Sequence, residues 1–341
     1  MQKYSLILPV NGQSTRFPNM RPKWLLTHPS GNCMLLASIL GISLKNINNI
    51  YIITNKDHVK QYQFINGLKK QFGRHKINPK FIILNGKTSS QIETIKLSID
   101  KQNIHGPIAI KDCDNYFTTD LKKIENCIYT YSLNNIELIN PSNKCYVKVD
   151  NIKEKDVISD KFGCGLYTFV DTKIFLDNSY KTKFLSEIFN NLIQKNISVN
   201  TRIVGNYLDW GTKEDWIRYC QKYNVYFMDI DGILMENSCE YMTPYWGTSK
   251  GIQSNINTIN NLYNSGFNQI ILTTSRHKYY DKITKKQLKK MNIRYHHLIF
   301  GLYHGKRIVV NDFNNTTNKY PSAKAINFPR NDNNLQDYIE Q

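Results

Sequence analysis

Residues 226–237 read YFMDIDGILMEN. An apolar run, Tyr226-Phe227-Met228, stops at two aspartates one residue apart, Asp229 and Asp231. Gly232 then ends the run in a tight turn. In an α/β protein a short apolar run reads as a buried strand, and polar groups at its carboxyl end line the active-site crevice. Two carboxylates on alternate residues there suit a nucleophile, an acid/base group and a Mg2+ between them. An acidic turn after an ordinary strand has the same look in isolation, but partners downstream favour chemistry. The stretch also divides the chain into two expected domains, 1–222 and 223–341.

At 341 residues, with 40% hydrophobic and 21% charged residues, the chain is long enough for two buried cores and is globular rather than disordered. Its formal net charge of +18 suits anionic partners. The lysines are scattered among asparagines and isoleucines, with no long basic run. A solvated surface that attracts phosphorylated ligands is therefore favoured over a nucleic-acid footprint. Seven cysteines at irregular spacing form neither a CxxC pair nor a zinc pattern. An odd cysteine number without a signal peptide points to a reducing cytoplasm. No apolar run approaches the ~20 residues of a membrane span, so no membrane partner is expected. Homo-oligomerisation stays open.

Toward the N-terminus, residues 4–10 (YSLILPV) read as a buried strand, followed by NGQSTRFPNMRPKWLL. A strand, a glycine-containing turn and then basic residues form a phosphate-binding layout. Gly12 permits close backbone approach. Ser14 and Thr15 complete the loop, Arg16 and Lys23 supply charge for a triphosphate, and Pro22 stiffens the segment that presents Lys23. Strand and helix then alternate. Helices are predicted over 34–44 and 59–72, strands over 50–54 and 80–84. Thr88-Ser89-Ser90-Gln91 opens a helix, where serine or threonine also serves as an N-cap. Residues 107–117 (PIAIKDCDNYF) read as a strand that ends with Asp112 and Asp114 on one face. Amphipathic helices over 182–195 and 213–222 close this half.

These residues resemble the signature of the sugar-phosphate nucleotidyltransferases. That family has a strand, a Pro, a GxGxR-type loop with an aromatic or Met after the Arg, then a Pro-Lys pair. Gly12, Arg16, Phe17, Pro22 and Lys23 match, and Ser14 stands where the second loop glycine would be. The resemblance implies a Rossmann-like, GT-A-like mixed sheet. It implies that the turn ending in Gln91 reads the nucleotide base and ribose. It implies that Asp114 holds a Mg2+ bridging the phosphates. Asp209, in Tyr207-Leu208-Asp209-Trp210-Gly211-Thr212, would be the second metal ligand. Glu154-Lys155 and Gly165-Leu166-Tyr167-Thr168-Phe169 are similar to the family's sugar-side strands, which implies that Lys155 pairs with the sugar phosphate.

From residue 223 a second α/β unit follows, with no Pro/Gly/Ser-rich linker, so abutting domains are expected. Its predicted elements are strand 225–229, a helix near 250–265, strand 269–273, a helix near 281–291, and strands 297–300 and 308–310. Strand 269–273 leads into Thr274-Ser275-Arg276, and a basic turn, His304-Gly305-Lys306-Arg307, precedes the last strand. The order resembles the haloacid-dehalogenase (HAD)-like phosphohydrolases, in a Rossmannoid form without a large cap. It implies Asp229 as nucleophile and Asp231 as general acid/base. Thr274 would hydrogen-bond the phosphoryl group, and Lys306 would neutralise it, with Arg307 its rival. Asp312 would complete a Mg2+ site with Asp229 and Asp231. Phe313 and Asn314 stand where many members carry a second late acidic residue.

Together the resemblances imply a bifunctional enzyme of activated-sugar biosynthesis. One half would transfer a nucleotidyl group from a nucleoside triphosphate, CTP or UTP favoured, to a sugar or polyol phosphate. The other would hydrolyse a phosphomonoester through an aspartyl-phosphate. A glycosyltransferase using Asp112-x-Asp114 for a nucleotide-sugar metal is the alternative from another class; Pro22-Lys23 argues against it, because a triphosphate needs that charge. A basic binding protein on degenerate enzyme folds is the third, and intact carboxylates in both halves argue against it.

Overall fold

The computed structural model describes residues 2–136, 141–148, 151–237, 246–312 and 322–340. The chain separates into two compact units, Met1–Cys220 and Gln221–Gln341. In the first, strands and helices run β1 (Tyr4–Pro9), α1 (Met34–Ile39), β2 (Ile42–Ser43), β3 (Ile47–Asn55), α2 (Lys56–Tyr62), α3 (Ile65–Arg74), β4 (Lys80–Leu84), α4 (Gln91–Gln102), β5 (Ile108–Lys111) and β6 (Asn115–Asp120). They continue through β7 (Cys127–Ser132), β8 (Cys145–Lys148), β9 (Asn151–Glu154), β10 (Lys161–Phe169), α5 (Thr172–Asn178), α6 (Leu185–Gln194), β11 (Asn200–Ile203), β12 (Gly205–Asp209) and α7 (Lys213–Cys220).

The main sheet has the order β11-β7-β10-β5-β1-β3-β4, with the β8–β9 hairpin joined through β10. β1 pairs parallel with both β3 and β5, while β10 runs antiparallel to β5. The chain moves outward from β1 to β4 and then returns to β5 on the other side. That reversal leaves a crevice at the carboxyl ends of β1 and β5, where such sheets bind ligands. β1 reads as a continuous apolar run because both its faces are covered. Tyr4, Leu6 and Leu8 enter one core, and Ile7 enters the other. A second sheet, β12-β6-β2, carries the strands that follow β5 and β11.

Three expectations for this unit change. The predicted 34–44 helix ends at Ile39, and the 59–72 helix breaks at Gln63, which takes φ +47°. The 107–117 strand stops at Lys111 and resumes at Asn115 in the other sheet. Asp112 and Asp114 therefore lie on a turn between two sheets, not on one face of a strand.

The second unit holds β13 (Asn224–Asp229), α8 (Gln253–Asn264), β14 (Asn268–Thr273), α9 (Asp281–Lys290), β15 (His297–Ile299) and α10 (Leu335–Glu340). Its strands form a parallel sheet in the order β13-β14-β15. Met228, Ile270 and Leu272 pack with Ile256, Ile259, Leu288 and Leu335. The predicted strand 308–310 does not form. Ile308, Val309 and Val310 are 77%, 66% and 92% exposed. So short a segment gains too few contacts to offset the entropy of ordering it. Among the described residues no helix is long and apolar enough to cross a membrane.

The sheet reaches the 112–115 turn through a close approach at Gly165. That residue sits at φ +70°, and a Cβ there would lie 2.5 Å from Asp112 Oδ2. Gly165→Ala should therefore destabilise the protein by roughly 1–3 kcal/mol. Urea unfolding should show a lower midpoint, and an unchanged midpoint would mean that the turn yields freely.

Candidate active site

The loop leaving β1 is fixed by side chains. Asn11 is buried. Its Nδ2 donates to Gly86 O at 3.3 Å and Thr88 Oγ1 at 2.9 Å, and its Oδ1 accepts from Asn55 Nδ2 at 2.5 Å. The loop is thereby stitched to the turn ahead of α4. Gly12 and Thr15 stay exposed on it. Ser14 takes φ +53°, the left-handed region in which glycine is most at ease. The serine compensates: its Oγ accepts from Lys23 N at 3.0 Å, and its O accepts from Phe17 N at 2.8 Å. Directly after Lys23, the buried Trp24 packs edge-on against Phe64, centroids 4.8 Å apart. That anchor sets where the Lys23 side chain starts.

At the end of β5 the wholly buried Lys111 closes the turn from inside. Its Nζ donates to Asp112 O at 2.6 Å, Asn115 Oδ1 at 2.6 Å and Asn115 O at 3.2 Å. The two carboxylates on this turn take different partners. Asp112 Oδ1 accepts from Gln91 Nε2 at 2.6 Å. Asp114 Oδ2 accepts from Lys23 Nζ at 2.6 Å and Arg16 Nη2 at 3.3 Å. Burial pushes the Asp114 carboxyl up, but the Lys23 and Arg16 charges outweigh it and hold the group well below the usual carboxylate range. Burial and then the Asp114 charge push Asp112 up.

β12 brings in the second metal candidate. It runs antiparallel to β6 with Asp209 opposite Asn115, and Trp210 N donates to Asp114 O at 2.9 Å. Gly211 lets the charged groups converge. A Cβ there would lie 3.2 Å from Asp209 Oδ1, 3.5 Å from Arg16 Nη1 and 3.9 Å from Asp114 Oδ2. Two carboxylates and the loop's guanidinium thus meet at one backbone position. Asp209 Oδ2 also accepts from Lys144 Nζ at 2.9 Å.

This donor set fits Mg2+, which favours hard oxygen ligands. Such an ion is held by one or two carboxylates plus substrate phosphates and water, not by an all-protein cage. Consistent with that, no group of three or more His, Cys, Asp or Glu gathers among the described residues. The Asp209 turn is braced by rings. Trp210 is buried, 5.6 Å from Trp216 and 5.3 Å from His28, whose Nε2 lies 2.8 Å from the Tyr219 hydroxyl.

No protein-family model matches the chain, and no curated protein matches it. Solved structures do. The nucleoside-diphosphate-sugar pyrophosphorylase from Vibrio cholerae RC9 matches with a TM-score of 0.52 at 18% identity, over 63% of this chain and 98% of that one. The UTP-bound UGPase from Acinetobacter baumannii matches with a TM-score of 0.50 at 15% identity, over 64% and 92%. The N-terminal part has the fold of a sugar-phosphate nucleotidyltransferase. At these identities the likeness is one of fold.

Two of the expected substrate residues sit apart from the carboxylate corner. Gln91 spends its amide on Asp112, and Ser90 caps α4 by accepting from Glu93 N at 3.1 Å. Lys155 is exposed at φ +61°, its Nζ 5.9 Å from the centre of the Phe184 ring. The lysine at the corner is Lys144, which no motif marked. Asn11 was equally unmarked, although it directly precedes Gly12.

In the second unit, Asp229 ends β13 opposite Thr273, and Ile230 is wholly buried beside it. Gly232 makes the turn at φ +91°. Asp231 departs from expectation. Its Oδ2 accepts from Arg276 Nε at 2.8 Å and its Oδ1 from Arg276 Nη2 at 2.5 Å. Arg276 is wholly buried, and its Nη1 also reaches Gln287 Oε1 at 2.9 Å and Thr284 Oγ1 at 3.1 Å. A bidentate guanidinium thus engages both carboxylate oxygens of Asp231 and fixes the side chain's direction. Buried Thr274 shapes this turn, its Oγ1 accepting from Arg276 N at 3.0 Å.

Lys306 is exposed, whereas Arg307 Nη2 donates to Ser275 Oγ at 3.2 Å. Burial pushes the Asp229 carboxyl up, against the pull of the Arg307 and Arg276 charges. Asp312 is exposed beyond the segment that forms no strand. Asp229, Asp231 and Asp312 do not gather into one three-carboxylate cluster among the described residues. Phe313 and Asn314 lie outside the described residues.

Burial pushes His28 down to about 4 from an ordinary 6.5. Below the ordinary value the unfolded chain takes up a proton that the folded chain refuses. Stability should therefore fall as pH drops from 6.5 toward about 4. His28→Gln should flatten that part of the profile, measured by urea unfolding at each pH. An equally steep profile would assign the loss to other groups.

Proposed function

We propose that the first unit transfers a nucleotidyl group from a nucleoside triphosphate to a sugar or polyol phosphate, with pyrophosphate as the leaving group. The observation that carries this is the corner at Gly211, where Asp114, Asp209 and Arg16 converge with Lys23 on the same Asp114 oxygen. The acceptor phosphate would attack the α-phosphorus in line as the bond to pyrophosphate breaks. Such chemistry needs positioning and charge more than an acid or base. The loop at 11–16 receives the triphosphate, and Lys23 and Arg16 neutralise the charge that develops on it. Asp114 and Asp209 would hold a Mg2+, which supplies Lewis-acid charge at the phosphates when bound. A finished nucleotide sugar has less need of Lys23, which separates this reading from a glycosyltransferase. CTP and UTP are the donors to test first.

For the second unit, a half-buried Asp229 within the field of two guanidinium charges supports phosphomonoester hydrolysis through an aspartyl-phosphate. Arg307, not Lys306, would meet the phosphoryl group, and Asp231 would serve as the fixed partner of Arg276.

Lys23→Ala should lose roughly 3 kcal/mol or more of transition-state stabilisation. Pyrophosphate release, measured with each triphosphate against a panel of sugar and polyol phosphates, reads this out. A near-normal rate in that variant sinks the assignment. Asp229→Asn should abolish phosphatase turnover and leave pyrophosphate release nearly intact, because each unit has its own strand-end carboxylates. Loss of both activities in a folded variant would mean a shared site.

A further inference from the structure

Asp209 reaches the corner with Oδ1 accepting from Gly211 N at 3.2 Å and Oδ2 held by an ammonium. Lys144 Nζ lies 2.9 Å from Asp209 Oδ2 and 2.9 Å from the Tyr207 hydroxyl. The ammonium stands 5.4 Å from the centre of the Tyr207 ring and 5.8 Å from that of Phe162. The Lys144 and Asp209 side chains are only 14% and 13% exposed. An ammonium so withdrawn from water needs an anion, and Asp209 supplies it.

The other cations of the corner differ in origin. Lys23 and Arg16 belong to the loop after β1, whose charge a triphosphate takes over. Lys144 enters from the β8–β9 side, and its carbonyl accepts from Lys155 N at 2.8 Å. The two lysines therefore leave neighbouring backbone, one toward the Phe184 ring and one toward Asp209.

We propose that Lys144 is a built-in counter-ion that holds Asp209 until the acceptor's phosphate arrives. Its transfer from Asp209 to that phosphate makes cation binding and acceptor binding mutually dependent. The inference rests on the nucleotidyl-transfer reading of this site. A divalent cation approaching Asp209 is repelled by the ammonium already there. A phosphate monoester carries more charge than one carboxylate and draws the ammonium more strongly at equal distance. Once Lys144 sits on the phosphate, Asp209 Oδ2 is released to the cation. By linkage, the factor by which the acceptor tightens the cation equals the factor by which the cation tightens the acceptor.

The test uses the full chain, Mn2+ as the cation probe and ethyl phosphate as the acceptor probe. Free Mn2+ is followed by its EPR signal, and a protein-free titration removes its association with ethyl phosphate. Ethyl phosphate should tighten Mn2+ binding to the wild type by about tenfold, within the usual range of site-to-site coupling. Lys144→Met should bind Mn2+ more tightly than the wild type without ethyl phosphate and respond little to its addition. Lys144→Arg should keep the coupling. Thermal melts check folding, and Lys144→Gln replaces the Met variant should that one fail to fold. Absence of coupling in the wild type overturns the proposal. So does Mn2+ affinity that Asp209→Asn abolishes but Lys144→Met leaves unchanged; in that case the nucleotidyl-transfer reading stands. Mn2+ binding indifferent to Asp209→Asn removes both.

Discussion

A carboxylate with little access to water has to be met by positive charge, and the first unit meets that demand at Asp114. Lys23 and Arg16 reach the same oxygen from a loop that starts at the other side of β1. Removing one partner of so enclosed a pair costs about 3–5 kcal/mol, because the other is left charged and alone. The pair therefore holds the loop's shape as well as its charge. It also explains how two carboxylates coexist on one short turn. Asp112, which accepts from the amide of Gln91, is pushed up by burial and the Asp114 charge, while Asp114 is held down. Lys111 steadies both by bonding the turn's carbonyls from below.

What the sequence made legible follows from how local each signal is. Gly12, Arg16, Pro22 and Lys23 sit in one loop, and their order matches the phosphate-binding layout that the family resemblance implied. Asp209 ends a strand and Asp114 sits on the turn just after one, so each could be named without knowing that they meet. Their meeting depends on the β6–β12 pairing, which spans some 90 residues of chain and leaves no local trace. Lys144 carried no motif, and its contact with Asp209 joins residues 65 apart in the chain. Ser14 is the instructive departure from the family pattern. Its left-handed backbone shows why glycine suits the position, and its hydroxyl bond to Lys23 N shows what the serine adds.

The errors have equally local causes. PIAIKDCDNYF reads as one strand because its apolar residues flank charged ones at strand-like spacing. Nothing in that pattern shows that Lys111 is buried and closes a turn between two sheets. Ile308-Val309-Val310 has strong strand propensity, yet propensity without a paired neighbour does not make a strand. Arg276 was visible two residues after Thr274, but its importance lies in a contact with Asp231 across the sheet end, which spacing alone cannot display.

The two strand-end corners use arginine and lysine with opposite permanence. At Asp231 the guanidinium is wholly buried, bidentate, and held on its far side by Gln287 and Thr284. Moving it would strand several donors at once, so Asp231 is fixed in place. At Asp114 and Asp209 the cations arrive on flexible stems, Arg16 with 47% of its side chain exposed. Each can exchange a carboxylate for a phosphate without losing a network of its own. On the nucleotidyl-transfer reading, such a corner is free to rearrange around its ligands, because every charge it holds would find an alternative partner among the groups that a nucleotide and a phosphate monoester bring.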